Sequence, residues 1–254
     1  MSNLTPLSNI ADKTIKVSSQ RSMLYAEGRH MMALNVAEVS RAIVDFPVLI
    51  SRIQGTGSFS LSALTSFEPN KNVYLSGGLW GSSFLPAEMH TFPFQLLPNE
   101  DKSQSPVIGA ELNSPCFSGE EGEALFDGAG QPALWVSQIQ AQLVENAKNA
   151  VLTDEFFKTI DSLNLHVPIV ISLHLADGPI NKIGGLSIVN EDKLKSLTSE
   201  QLAMLNEKGF LGPLYAMLFS IFQLNGLIRK HNETEGFVKI AKLEIEIAKA
   251  NSLI

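Results

Sequence analysis

Apolar and polar positions along this chain fall into short blocks whose period changes often. Twice within the first hundred residues, a block with helical spacing runs into Phe-Pro and then into an apolar stretch. In the first copy Val36, Val39 and Ile43 share one helical face, followed by Phe46-Pro47 and Val48-Leu49-Ile50. In the second, Leu85-Pro86-Ala87-Glu88-Met89-His90-Thr91 leads into Phe92-Pro93-Phe94-Gln95-Leu96-Leu97. Proline cannot continue a helix and holds the preceding residue in extended geometry. Each copy therefore predicts a helix that stops and becomes a strand.

The rest of the first half reads as short strands. Thr14 to Val17 and Met23 to Ala26 are expected strands on either side of the polar Ser18-Ser19-Gln20-Arg21. Val48 to Ile53 is β-branched, Ser58 to Phe67 alternates apolar with small polar residues, and Val73-Tyr74-Leu75 returns after the turn at 68–72. Gly77-Gly78-Leu79-Trp80-Gly81 is a loop. Turns this short imply antiparallel neighbours. Residues 99–115 are polar, contain Pro106 and Pro115 and follow Pro98, which marks a candidate internal seam.

Beyond the seam the pattern is helical. Ser118 to Glu121 has capping-box spacing and predicts a short helix through Phe126. Gln131-Pro132 opens a longer helix with Leu134, Ile139, Leu143 and Ala147 inward, and Thr153-Asp154-Glu155 caps another. Val167 to Leu175 and Ile183 to Val189 form a hairpin about Ala176-Asp177-Gly178-Pro179. Asn190 and Thr198-Ser199-Glu200-Gln201 are helix starts, and Gly209 is a stop. Phe210 to Ile228 carries no charge, long enough to raise a membrane span. Gly212-Pro213 near its start and Gln223 and Asn225 near its end favour a helix buried on most sides instead. The tail, 232–254, mixes Lys and Glu with Val238, Leu243, Ile245 and Ile247; helix and strand both fit, and helix is preferred. The expected class is α+β: largely antiparallel sheet with short helices in the N-terminal half, and a helical C-terminal half containing a β-hairpin. One domain over 1–231 plus the tail accounts for the chain.

Composition narrows the function classes. The 254 residues are 44% hydrophobic and 18% charged, which describes a globular chain with a sizeable core. A net charge of -7 argues against a general nucleic-acid binder and against adhesion to anionic lipid. Cys116 is the only cysteine, so neither an internal disulfide nor a thiolate zinc cluster can form. The opening Met1-Ser2-Asn3-Leu4-Thr5-Pro6 lacks the pattern of a signal peptide, and a cytoplasmic location is expected.

No catalytic signature stands out. His30, His90, His166, His174 and His231 show no HxH or HxxxH spacing, and no GxSxG occurs. Gly55-Thr56-Gly57 is too short for a dinucleotide fingerprint, and Gly184-Gly185 reads as a turn or bulge. The acidic group Glu120, Glu121, Glu123 and Asp127 lacks calcium-loop alternation and is assigned to a helix start. No metal and no cofactor are expected. Glu38 and Glu88 occupy the same place in the repeated phrase, as solvated first-turn charges or as carboxylates converging on a ligand. Trp80, Phe84, Phe92 and Phe94 form an aromatic group that suits either a core or a binding surface.

Taken in order, these landmarks resemble the SapC family of bacterial proteins. The residues that carry the likeness are Ala37-Glu38 with Phe46-Pro47-Val48-Leu49-Ile50, Asn72-Val73-Tyr74-Leu75 with Trp80, and Leu85-Pro86-Ala87 with Phe92-Pro93-Phe94. Glu121 to Asp127, Gly184 to Val189, Asp192-Lys193-Leu194 and the segment from Gly209 to Leu227 continue it. The chain departs from the family at Met89-His90-Thr91, where relatives place basic residues; His90 is the remnant of any anion contact there. The resemblance implies a link to surface-layer formation, or to gene neighbourhoods with flavin-dependent halogenase-like proteins and TonB-dependent receptors. The expectation is a non-catalytic accessory or binding protein that takes a protein partner or a small-molecule ligand through Trp80, Phe84, Glu88, His90 and Glu38. The alternative is an enzyme acting on a small aromatic or peptide substrate beside a halogenase-like partner.

Overall fold

A computed structural model describes residues 4–53, 55, 57–99, 103, 105–117 and 121–248. The chain forms two compact units, Met1–Glu27 with Ala87–Lys148 and Gly28–Pro86 with Asn149–Ile254. The smaller unit opens with strands β1 (Leu4–Pro6) and β2 (Lys16–Val17) and helix α1 (Arg21–Ala26). The larger unit begins with β3 (Met31–Leu34), α2 (Val39–Ala42), β4 (Val48–Arg52), β5 (Phe59–Leu64), β6 (Leu75–Ser76) and β7 (Leu79–Trp80). The chain returns to the smaller unit for α3 (Ala87–Thr91), β8 (Phe94–Leu97), β9 (Val107–Glu111) and β10 (Glu123–Ala124). The long α4 (Leu134–Ser162) then leads to β11 (His166–Leu175), β12 (Ile180–Val189), α5 (Glu191–Lys195) and α6 (Ser199–Glu207). Helices α7 (Leu211–Ser220) and α8 (Gln223–Glu233) and strand β13 (Ile240–Ile247) complete the larger unit. The class is α+β with antiparallel pairing, as the pattern predicts.

The larger unit is built on a six-stranded sheet in the order β13-β11-β12-β4-β5-β3. Its core gathers Phe46, Leu49, Ile50, Leu61, Phe156, Ile160, Ile171, Phe210 and Leu214, all at most 1% exposed. Two hydroxyls tie helices to backbone groups that would otherwise be orphaned. Ser220 Oγ accepts from Val48 N at 3.0 Å, and Thr153 Oγ1 accepts from Val36 N at 2.9 Å. In the smaller unit, the sheet β1-β9-β8 and the first half of α4 enclose Phe94, Ile108, Leu125, Val136 and Leu143. Residues 99–115 lie inside this unit and supply β9.

Both Phe-Pro junctions behave as expected. Turns after α2 lead to the fully buried Phe46, and β4 starts at Val48; α3 ends at Thr91, and β8 starts at Phe94. The hairpin, the Asn190 cap, the Thr198-Gln201 capping box and the left-handed stop at Gly209 (φ 73°) are all present.

Several expectations fail for identifiable reasons. Met23 to Ala26 belongs to helix α1; a contiguous apolar run of four has no period that separates helix from strand. Of Thr14 to Val17 only Lys16–Val17 is strand, and it pairs with β10, where a short helix through Phe126 was expected. Residues 118–120 of that supposed capping box lie outside the described residues. Thr153 does not start a helix, since α4 runs through it and its hydroxyl donates to the Asn149 carbonyl one turn back. The apolar segment after Phe210 is two helices bent by 43°, and Tyr215, Phe219 and Phe222 are 42%, 63% and 70% exposed rather than buried. Within the tail, Ile240–Ile247 is strand β13 where a helix was preferred, and 249–254 lie outside the described residues. Among the described residues no single helix is long and apolar enough to cross a membrane; α7 and α8 meet that test only as a bent pair.

Candidate functional site

The six-stranded sheet is not continuous in its pairing. Strand β12 meets β4 at only two positions, Leu186↔Ser51 and Ser187↔Ile50, although β12 extends back to Ile180 and β4 on to Arg52. A bulge lies beside the parting, and β4 itself ends at Arg52, one residue beyond the last pair. Ile169 faces Leu186 and Ile171 faces Ile183, so Val170 stands opposite both Gly184 and Gly185. Gly185 takes φ 74°, a left-handed conformation that glycine adopts without strain.

The parting opens a cleft of about 910 Å³, inside the size range of small-molecule sites. Leu64, Phe67, Leu173, Leu186 and Ile240 line it and are buried. His231, only 2% exposed, also lines it; its Nε2 donates to the Val238 carbonyl at 3.0 Å. Exposed Arg52 and Lys182 belong to its lining, with half-buried His30 and Glu68. Gly184 and Gly185 line the same space, and a Cβ on either would meet nothing within 4 Å. A groove of about 470 Å³ lies elsewhere in this unit, against the exposed aromatic face of α7.

The residues singled out from sequence take other places. Trp80 is half-buried, packs at 6.1 Å from both Phe46 and Tyr74, and donates its indole N–H to the Phe84 carbonyl at 2.9 Å. Phe84 is 8% exposed, with the Arg41 guanidinium 5.4 Å from its ring centre. Both are packing groups of the larger unit. Glu38 is 4% exposed and closes a capping box, its carboxylate accepting from Asn35 N at 2.8 Å. It is therefore a buried cap and not a solvated charge. Glu88 and His90 belong to the smaller unit, where both are exposed on α3 and Glu88 accepts a hydrogen bond from the Tyr25 hydroxyl. None of the five lines the cleft. The one sequence signal that pointed to it was Gly184-Gly185.

The landmark residues quoted above bound this unit: Phe46-Pro47 precedes β4, Gly184 to Val189 forms the bulged half of β12, and Gly209 to Leu227 builds α7 and most of α8. The sequence model of the SapC family matches residues 7–227 of the 254. The chain belongs to the SapC family. No curated protein and no solved structure matches it. The SapC match ends before β13, so His231, Val238 and Ile240 of the cleft lie beyond it.

Other groups in this SapC chain have structural occupations. Burial pushes the Cys116 thiol above its ordinary value, despite a hydrogen bond from Ser114 and the charge of Arg21, which disfavours a nucleophilic thiolate. Burial would also raise the Asp45 carboxyl, but hydrogen bonds from Ser83 and Ser82, with the Lys230 charge, outweigh it and hold the group below the usual range. Burial foremost, then the neighbouring Asp45 charge, pushes the Tyr74 phenol far up, so it stays protonated and donates to the Asp45 carbonyl at 2.6 Å. His174 pairs with Glu244 at 2.7 Å across β11 and β13. Among the described residues no three His, Cys, Asp or Glu side chains gather where they could hold a metal.

Proposed function

We propose that this protein is a non-catalytic, cytoplasmic bacterial accessory protein that works by holding a small molecule in the cleft between β12 and β4. The observation that carries the reading is the bulge at Gly184-Gly185. It lies where the β12–β4 ladder ends, beside a ligand-sized, largely apolar space.

The test uses Asn181→Trp. Asn181 is exposed, lines the cleft and stands opposite Leu173 on the same face of the sheet, so a large ring there fills the space while the fold is retained. Native mass spectrometry of the protein purified from its own host should show a bound small molecule that is absent from N181W. A native mass equal to the bare chain, together with no saturable binding of any probe, would overturn the proposal.

A further inference from the structure

Strand β13 closes one side of the six-stranded sheet, and among the described residues no strand pairs with its outer edge. The inner edge shows which backbone groups that leaves free. Ala248 N donates to the Pro168 carbonyl, and the register against β11 is unbroken from Ile247 back to Lys242. In an antiparallel ladder, successive residues alternate between facing the neighbour and facing away. Glu246, Glu244 and Lys242 therefore spend their N–H and C=O groups on β11, and Leu243, Ile245 and Ile247 turn theirs outward. The free stretch stops at Ile240, whose N–H and carbonyl are taken by Asn232. The side chains are sorted too. Lys242, Glu244 and Glu246 project from one face, and Leu243, Ile245 and Ile247 from the other, where Ile245 is 36% and Ile247 67% exposed.

From that arrangement we propose that the outer edge of β13 pairs with the β13 of a second copy of this chain, antiparallel about a two-fold axis at Leu243. The order of charges selects both the partner and the register. With the two Leu243 residues opposite one another, Lys242 lies across from the partner's Glu244, and Glu244 from the partner's Lys242. Unlike charges directly opposite stabilise a strand pair, and like charges destabilise it. Neighbouring two-fold registers bring like charges together: centring on Lys242 opposes two lysines, centring on Glu244 opposes two glutamates, and centring on Ile245 sets Glu244 against Glu246 twice. On the apolar face Leu243 meets its own copy, and Ile245 meets the partner's Ala241. Lys242 already donates to Glu244 at 2.5 Å within one strand, and His174 holds the other carboxylate oxygen at 2.7 Å. Pairing extends these contacts into a four-charge network of alternating sign. An uncharged strand would leave the charges unmatched, so the edge that repels passing chains accepts its own copy. The paired stretch is short, which places the dimer in the weak, concentration-dependent class.

The test is sedimentation velocity of the full chain from about 10 μM to about 1 mM, where the parent should pass from monomer toward dimer. Lys242→Glu and Glu244→Lys should each weaken self-association about tenfold, since each turns both cross-strand pairs into like charges. Mixing K242E with E244K should restore a dimer of one copy of each, because both unlike pairs form again across the two variants. Amide exchange of the parent gives a readout that needs no variant: the Leu243 and Ile245 N–H groups should gain protection as concentration rises. A parent that stays monomeric over the whole range, with no such gain, would overturn the proposal. So would self-association that neither charge reversal weakens, or a mixture of the two variants that associates no better than either alone.

Discussion

Asn232 and Ile240 exchange two hydrogen bonds: the Asn232 amide donates to the Ile240 carbonyl at 3.0 Å and accepts from the Ile240 N–H at 2.8 Å. A side chain on α8 thus imitates one rung of a strand ladder at the first residue of β13. His231, one residue earlier, holds the Val238 carbonyl through a single bond from its ring Nε2. These contacts fix where the last strand enters the sheet, and Ile240 is part of the cleft wall.

Asn232→Leu removes both bonds and leaves the two backbone groups of a buried residue unpaired. Each bond contributes about 1 kcal/mol net, and the orphaned groups add a desolvation cost. A loss of about 2–3 kcal/mol is expected in denaturant titration. Amide exchange should quicken over 240–247; unchanged protection there would refute the anchoring role.

The two bulge glycines should respond oppositely to a side chain. Gly185→Val forces a β-branched residue to φ 74° and should cost about 1–2 kcal/mol or more. Gly184→Val places its methyls in open space within a strand and should leave the melting temperature unchanged or slightly higher. Equal destabilisation by both would show that Val170 does not face a two-residue bulge.

Asp45 gives the larger unit an acid-sensitive lock. Its folded carboxyl lies below the ordinary 3.8, so its stabilisation is fully present above that value and is lost as pH falls through the depressed folded value. Asp45→Asn should therefore lower stability at neutral pH and flatten the stability curve below about pH 4, relative to the parent. Parallel curves for the two proteins would remove Asp45 from the acid response.

Cys116 should behave as a protected thiol. It is 2% exposed and its pKa is raised by burial, so a disulfide reagent at pH 8 should label it far more slowly in the native protein than in denaturant. Equal rates would contradict its burial.

Much of the fold was legible because local chemistry and tertiary structure agree. Pro47 and Pro93 mark where helical segments must end, and Thr198 and Asn190 cap the helices that they precede. The failures came where neighbours decided. Thr153 has cap chemistry, yet its hydroxyl serves Val36 N, more than a hundred residues away, and α4 continues through it. The tail is rich in Lys and Glu, good helix formers, but Leu243, Ile245 and Ile247 alternate and β11 offers them an unpaired edge. The cleft was hidden for a different reason. It is assembled by β4, β12, α8 and β13, segments far apart in sequence, and by the absence of pairing between two of them, which no residue pattern announces. Trp80 and Phe84 drew attention as aromatics beside a glycine-rich loop, yet both pack within the larger unit.

Strand β13 also has a protective consequence for the molecule in crowded solution. It occupies the outer side of β11, whose Ile169-Val170-Ile171 would otherwise present an uncharged template to passing chains, and substitutes an outward rim bearing Lys242, Glu244 and Glu246. Detaching that ribbon would bare a sticky flank, and molecules with a loosened final strand would be expected to polymerise through it.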